Sequence, residues 1–400
     1  MRVLFLTHRL PYAPNRGDRV RAFHILRILA TQMAVDLVSL VHDADEESEA
    51  GQMRRSGVTV TTARVSRVRN LARATPALLT SRPLTHVLLS APQLKAALRR
   101  IVDRTSPDLV LAYCSGMARF ALEPPLRGCP FVLDMVDVDS CKWEALAKKA
   151  AAPQRWIYAR EARQLARFEA VATDRAARTL VVNERERAAL AALAPGRSLD
   201  VVPNGVDVRG LRPSTAPVDV PNVVFCGVMN YAPNAQAIEW FVHAAWPAVK
   251  ARHPSARLSV VGSDPGAGLQ ALARQDPSIL LTGRVPDVRP YLWNAAVSVA
   301  PIMTARGIQN KVIEAIAAGL PCVVTTAVME GLPGDARGAC RVADTGATFA
   351  AELNELLALT PAARRALAEQ VDLSHLDWDV TLSVLPGLLK SAVTTGSRER

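Results

Sequence analysis

Arg306, Lys311 and Glu314 put two cations and a carboxylate into one short stretch of this sequence. Lys311 and Glu314 are three residues apart in a segment with helical periodicity, so both project from the same side. Arg306 sits in the polar turn just before them. Two cations suit a diphosphate, and a neighbouring carboxylate suits the hydroxyls of a ribose. The surrounding run is VSVAPIMTARGIQNKVIEAIAAGLPCVVTTAVM, Val297 to Met329. It predicts a strand from Val297 to Ile302, then a turn that carries Gly307, Ile308, Gln309 and Asn310. A helix from about Lys311 to Ala318 follows, with a Gly319-Leu320-Pro321 stop and a second strand from Cys322 to Thr325. A loop at the carboxyl end of a strand that opens onto a helix N-terminus favours an anion. Free backbone N–H groups and the helix dipole both point there.

A second chemical group is DMVDVDSCKW, Asp134 to Trp143, at the end of a predicted strand. Asp134 and Asp137 there can bind acceptor hydroxyls or act as a base. The run that includes Asp139 also fits a metal site, or helix capping by Asp139 and Ser140. The acceptor reading is preferred, and no metal is expected. Two further strand-loop-helix arrangements have the layout for an anion. One is HRLPYAPNRGD, which carries Arg16 and Gly17. The other starts at Gly227 and carries Asn230 and Asn234. Neither holds a G-x-G-x-x-G fingerprint.

GIQNKVIEAIAAGLPCVVT resembles the donor-nucleotide motif of GT-B glycosyltransferases, in particular the retaining, family-four-like group 1 enzymes. Their pattern is Glu, seven residues, Glu, then Ala-Met-Ala-x-Gly-x-Pro-Val-Val. Glu314 matches the second Glu, which the resemblance assigns to the donor ribose; the first falls on Arg306, a departure from the pattern. The loop ARGIQNKV and the segment Asp134 to Trp143 are most similar to the exosortase/PEP-CTERM-associated sugar transferases. The resemblance implies that the loop with Gly17 approaches donor phosphate and acceptor. It implies too that Gly283 and Val285 contact the base through backbone groups. Where many members place a histidine, this chain has Tyr113-Cys114-Ser115. Where they place Arg and Lys after Gly227, it has asparagines, so Arg306 and Lys311 are expected to carry the diphosphate.

Going back to the elements that must hold these residues, 400 residues suffice for two or three ordinary domains. A hydrophobic share of 50% with 21% charged is soluble globular composition. Six cysteines without a C-x-x-C pair read as reduced thiols. The start MRVLFLTHRL is too soon interrupted for a signal peptide, and no apolar run reaches the roughly 20 residues of a membrane span. The net charge of +11 is concentrated: residues 51–102 hold ten Arg and Lys and no acid. Arg67, Arg69 and Arg73 alternate there with Leu71, Leu78 and Leu79, as in a basic helix with an apolar side. That suits an anionic bilayer or lipid-linked acceptor; the other reading is leucines facing the core and solvated arginines.

The expected fold is α/β of GT-B type: two Rossmann-like domains with parallel sheets facing a central cleft, and a C-terminal helix crossing back to the first domain. The expected divisions are 1–205, a linker at 206–221, a nucleotide-sugar domain at 222–375, a crossover helix at 376–393 and a frayed tail at 394–400. Pro386 and Gly387 are expected to kink or end that helix, and one helix is expected from about Ala235 to Lys250. The expected activity is metal-independent, retaining hexosyl transfer from a nucleotide diphosphate sugar to a hydroxyl of a lipid-linked glycan, in exopolysaccharide or cell-surface polysaccharide synthesis. The donor is a substrate and no cofactor is expected. The location is expected to be cytoplasmic, peripheral on the inner face of the plasma membrane. Two alternatives stay open: a GT-B nucleotide-sugar 2-epimerase, and a non-catalytic nucleic-acid-binding protein. Residues 51–102 contain no Phe, Tyr or Trp to stack on bases, so nucleic acid is not an expected partner.

Overall fold

The structure, a computed structural model, describes residues 1–12, 17–55, 57–214, 216–304 and 308–396. The chain divides into two compact units, residues 1–204 with 381–400, and residues 205–380.

The first unit is built on a parallel sheet of seven strands: β1 (Arg2–Thr7), β2 (Ala34–Val41), β3 (Thr59–Arg64), β4 (Leu109–Tyr113), β5 (Phe131–Val136), β6 (Arg178–Val181) and β7 (Leu199–Val201). Their order is β3-β2-β1-β4-β5-β6-β7. LVLAY of β4 is buried throughout, as strands covered by helices on both faces must be. The order reverses between β1 and β4, and the carboxyl ends of those two strands flank the crevice where such sheets take ligands.

The second unit repeats the plan with β8 (Asn222–Cys226), β9 (Arg257–Val261), β10 (Ile279–Leu281), β11 (Val297–Ala300), β12 (Cys322–Val324) and β13 (Cys340–Val342). All six are parallel in the order β10-β9-β8-β11-β12-β13, so the reversal lies between β8 and β11.

Two helical expectations are corrected. The segment after Gly227 forms two helices, Ala232–Ala244 and Trp246–Arg252, which meet at Ala245. Pro247 lacks the N–H that would continue the first helix, and sits without penalty in the first turn of the second. The buried Trp246 Nε1 donates to Ser278 Oγ at 3.0 Å and fixes the break. The segment expected as one crossover helix at 376–393 is broken just ahead of Pro386, into Trp378–Thr381 and the last helix, Leu385–Gly396. Pro386 occupies its first turn, where the missing N–H costs nothing. Residues 394–396 are thus helical, and residues 397–400 lie outside the described residues. Leu385, Leu389 and Ala392 of this helix are fully buried, and the helix packs on β4 and β5 of the first unit.

Candidate functional site

In the second unit, β8 ends in Cys226-Gly227 and the chain enters helix Ala232–Ala244; β11 leads to helix Asn310–Ala317. The first turns of both helices converge on Gly227. Lys311 Nζ donates to Asn234 Oδ1 at 2.6 Å, and Asn234 Nδ2 donates to the Val228 carbonyl at 2.9 Å. The Lys311 ammonium stands 4.5 Å over the Phe225 ring. A Cβ at Gly227 would lie 2.7 Å from Asn234 Nδ2 and 3.1 Å from Lys311 Nζ, so only glycine leaves this space open. Gly262, at φ +152°, lets β9 approach: a Cβ there would lie 1.8 Å from the Gly227 carbonyl oxygen. Gly262 bridges in turn to Gly283.

Burial lowers the Lys311 pKa to about 8, against the opposing pull of Cys226 and Glu314. Burial pushes the Glu314 carboxyl up, and Lys311 holds it back. Both shifts have the same cause, a poorly solvated surrounding that disfavours charge.

Of the other donor candidates, Ile308 and Val285 pack against the core cluster beneath Asn310–Ala317. Gln309 is the residue before that helix and Asn310 its first. Asn230 is exposed and reaches only Asp264 Oδ2, at 3.3 Å. Arg306 and Gly307 lie outside the described residues, as does Arg16, while Gly17 opens helix Gly17–Ala30 of the first unit.

In the first unit the carboxylates separate. Asp134 is fully buried and takes a 2.9 Å bond from Arg21 Nε. Arg21 also donates to the Pro203 carbonyl and to Asn204 Oδ1. Asp134 is thus held under the strand ends by Arg21. Asp137 is exposed. Asp139 accepts from Ser115 Oγ at 3.0 Å, and burial pushes its carboxyl up. It does not cap the helix Asp139–Lys149. That work falls to Glu169, which accepts from the Ser140 N–H and hydroxyl. Among the described residues no three His, Cys, Asp or Glu side chains form a metal-binding group.

The end of β4 carries no histidine, but His8 follows the end of the neighbouring β1. His8 stacks parallel on Tyr113, with ring centroids 5.8 Å apart, and its Nδ1 lies 3.4 Å from Cys114 Sγ. This pair bridges the β1/β4 reversal. Burial raises the Cys114 pKa to about 12, so it meets His8 as a thiol. Sequence reasoning missed His8; the available signal was its place directly after the first strand.

Arg67, Arg69 and Arg73 all lie on helix Arg67–Ala77, with Arg67 and Arg73 exposed. Leu71 and Leu79 are exposed as well, whereas Leu94 and Leu98 face the core. The leucines of the basic window are thus divided between core and surface.

Two reversal-centred parallel sheets define an α/β protein of the GT-B fold. Residues 220–359 match the family model described as glycosyl transferases group 1. The chain is similar to Anabaena HepE in complex with UDP-glucose, at 14% identity and TM-score 0.62 over 98% of this chain and 100% of that one. It is similar to TarM at 9% identity and TM-score 0.63, over 98% of both chains. A trehalose-6-phosphate protein from E. coli, bound with UDP-2-fluoro glucose, matches at 13% identity and TM-score 0.62, over 98% of this chain and 99% of that one. No curated protein sequence matches the chain.

Proposed function

We propose that this protein is a glycosyltransferase that moves a hexosyl group from a nucleotide diphosphate sugar to a hydroxyl of a lipid-linked glycan, retaining the anomeric configuration and using no metal or other cofactor. The observation that carries this reading is the Lys311–Asn234 bond at Gly227, where the first turns of two helices and one ammonium meet. A diphosphate placed there gains charge on its leaving oxygen as the glycosidic bond breaks, and fixed positive charge lowers that barrier without reorganisation. In this reading Glu314 takes the ribose, backbone groups of Gly283 and Val285 take the base, and Arg306 shares the diphosphate with Lys311. In the first unit His8, Asp137 and Asp139 meet the acceptor. HepE forms complexes with UDP and with UDP-glucose, which favours a uridine donor.

The test has two stages. A thermal-shift screen against UDP-, GDP- and ADP-sugars should find one donor. A ligand at about 100 times its dissociation constant adds about 2.7 kcal/mol of stability. That donor, labelled in the sugar, should then pass label to extracted lipid. No shift with any donor would sink the reading. A shift with conversion of the sugar in the absence of acceptor would mean a 2-epimerase.

A further inference from the structure

Helix Arg67–Ala77 is built inside out. Val68, Leu71, Ala72 and Thr75 recur at the spacing of one helix face, yet that face is turned to solvent: Val68 is 83% exposed and Leu71 64%. A helix on a soluble surface buries its apolar stripe and shows its polar one. Here the inward residue is Asn70, fully buried, whose amide donates to the Leu88 and Ser90 carbonyls at 2.8 Å each. Arg67 lies at one edge of the apolar stripe and Arg73 further round the helix, both exposed. Beyond the helix the chain turns and presents Leu79, 91% exposed, next to the exposed Arg82.

That turn is held rigidly. Buried Arg160, on helix Gln154–Arg175, donates to the carbonyls of Leu78 at 2.9 Å, Ala77 at 2.7 Å and Arg82 at 2.9 Å, and also to that of Thr80. Its neighbour Glu161 accepts from the N–H groups of Leu84 and Thr85 at 2.6 and 2.8 Å. An exposed leucine on a slack loop can fold back onto the protein; one pinned by five such bonds or more cannot. Trp156, 54% exposed, lies one turn before Arg160 on the same side of its helix.

We propose that residues 67–88 form a docking surface for an anionic phospholipid bilayer, with Val68, Leu71 and Leu79 inserted among the acyl chains and Arg67, Arg73 and Arg82 at the headgroups. Charge decides for lipid over a second copy of the chain: residues 51–102 carry ten Arg and Lys and no acid, so two such faces repel. Aromatic residues prefer the membrane–water boundary, where Trp156 would lie. The inference deepens the reading of a lipid-linked acceptor and rests on it only for its biological purpose.

The experiment is co-sedimentation of the full chain with phosphatidylcholine vesicles, with and without phosphatidylglycerol, in the absence of donor. Binding is expected to the anionic vesicles, to weaken with salt, and to fall at least about tenfold in Leu71→Glu/Leu79→Glu. Arg67→Gln/Arg73→Gln/Arg82→Gln should lose the preference for phosphatidylglycerol. Each variant should keep the parent melting temperature, since the altered side chains point outward. Quenching of tryptophan emission by brominated phosphatidylglycerol, reduced in Trp156→Phe, gives a second readout that leaves the helix unchanged. The proposal is overturned if the parent stays in the supernatant with anionic vesicles, if the double glutamate variant binds as the parent does, or if light scattering shows a dimer that this variant splits. Donor-induced thermal shift, measured without vesicles, separates failure here from failure of the transferase reading.

Discussion

Lys311 Nζ and Asn234 Oδ1, 77 residues apart in sequence, are 2.6 Å apart in space and tie together the opening turns of two helices. This bond leaves the ammonium buried, with its pKa lowered to about 8, because water is excluded from around it. An ordinary lysine titrates near about 10.4. The free protein therefore loses the Lys311 charge as pH rises through about 8, whereas a bound diphosphate stabilises the charged form. Donor affinity should be level below that pH and fall above it, by up to about tenfold per pH unit. Calorimetric titration with the donor nucleotide between about pH 6.5 and 9.5 measures this. Lys311→Arg, which keeps its charge, should flatten the profile, and a flat profile in the parent would remove Lys311 from the phosphate site.

The same shift has a stability consequence with a definite sign. The folded state binds the Lys311 proton less tightly than the unfolded chain does. The unliganded fold is thus penalised below about pH 8 and relieved as pH climbs from there towards the unfolded value. Lys311→Met/Glu314→Gln, which removes the buried ammonium without stranding the buried carboxylate, should be more stable than the parent at neutral pH and should no longer respond to donor. Equal melting temperatures at neutral pH would contradict this.

Gly227 and Gly262 should separate binding from folding. Gly262→Ala forces a Cβ to within 1.8 Å of a backbone oxygen, which no side-chain movement relieves. Urea denaturation should show a loss of about 2–4 kcal/mol. Gly227→Ala meets only the ends of Asn234 and Lys311 side chains, which can swing away. It should cost about 1 kcal/mol or less in stability, yet weaken donor binding by displacing the ammonium.

Arg21 and Asp134 form a pair that is buried on both sides, and Asp134 Oδ1 has no other partner among the described residues. Arg21→Ala strands a carboxylate away from water and should cost about 3–5 kcal/mol. Arg21→Met with Asp134→Leu should recover most of that. If Asp134 instead served as a base, Asp134→Asn would abolish transfer while leaving the denaturation midpoint unchanged.

His8→Ala should reduce transfer by about a hundredfold or more, the usual contribution of a positioned acid or base. The donor-induced thermal shift should persist, because the nucleotide-facing residues belong to the other unit. An unchanged rate would return His8 to a stacking role on Tyr113.

The parallel strands were legible because a strand covered on both faces must be apolar end to end, as LVLAY and VSVA are. The Lys311–Glu314 pair was legible because helical spacing is local. Partnerships across the fold were not. Nothing local to Lys311 points to Asn234, and Arg21 is 113 residues from Asp134. Arg160 looks like any arginine in a basic helix until the carbonyls of residues 77–82 fold onto it. Nor could period alone tell which leucines of the basic window face inward. Leu98 and Leu71 both fit a helix stripe, and only the sheet beneath decides that one is buried and the other bare.

The helix Leu385–Gly396 belongs to the unit made first, packing on β4 and β5 and receiving a bond from Arg178 through Ser391. On the ribosome, residues 205–380 have everything they need before residues 385–392 have been synthesised, whereas the earlier unit must wait with part of its sheet uncovered. The order of completion is therefore the reverse of the order of synthesis. A released chain ending near residue 380 should carry a finished second half and an unfinished first, the half that chaperones would then have to shield.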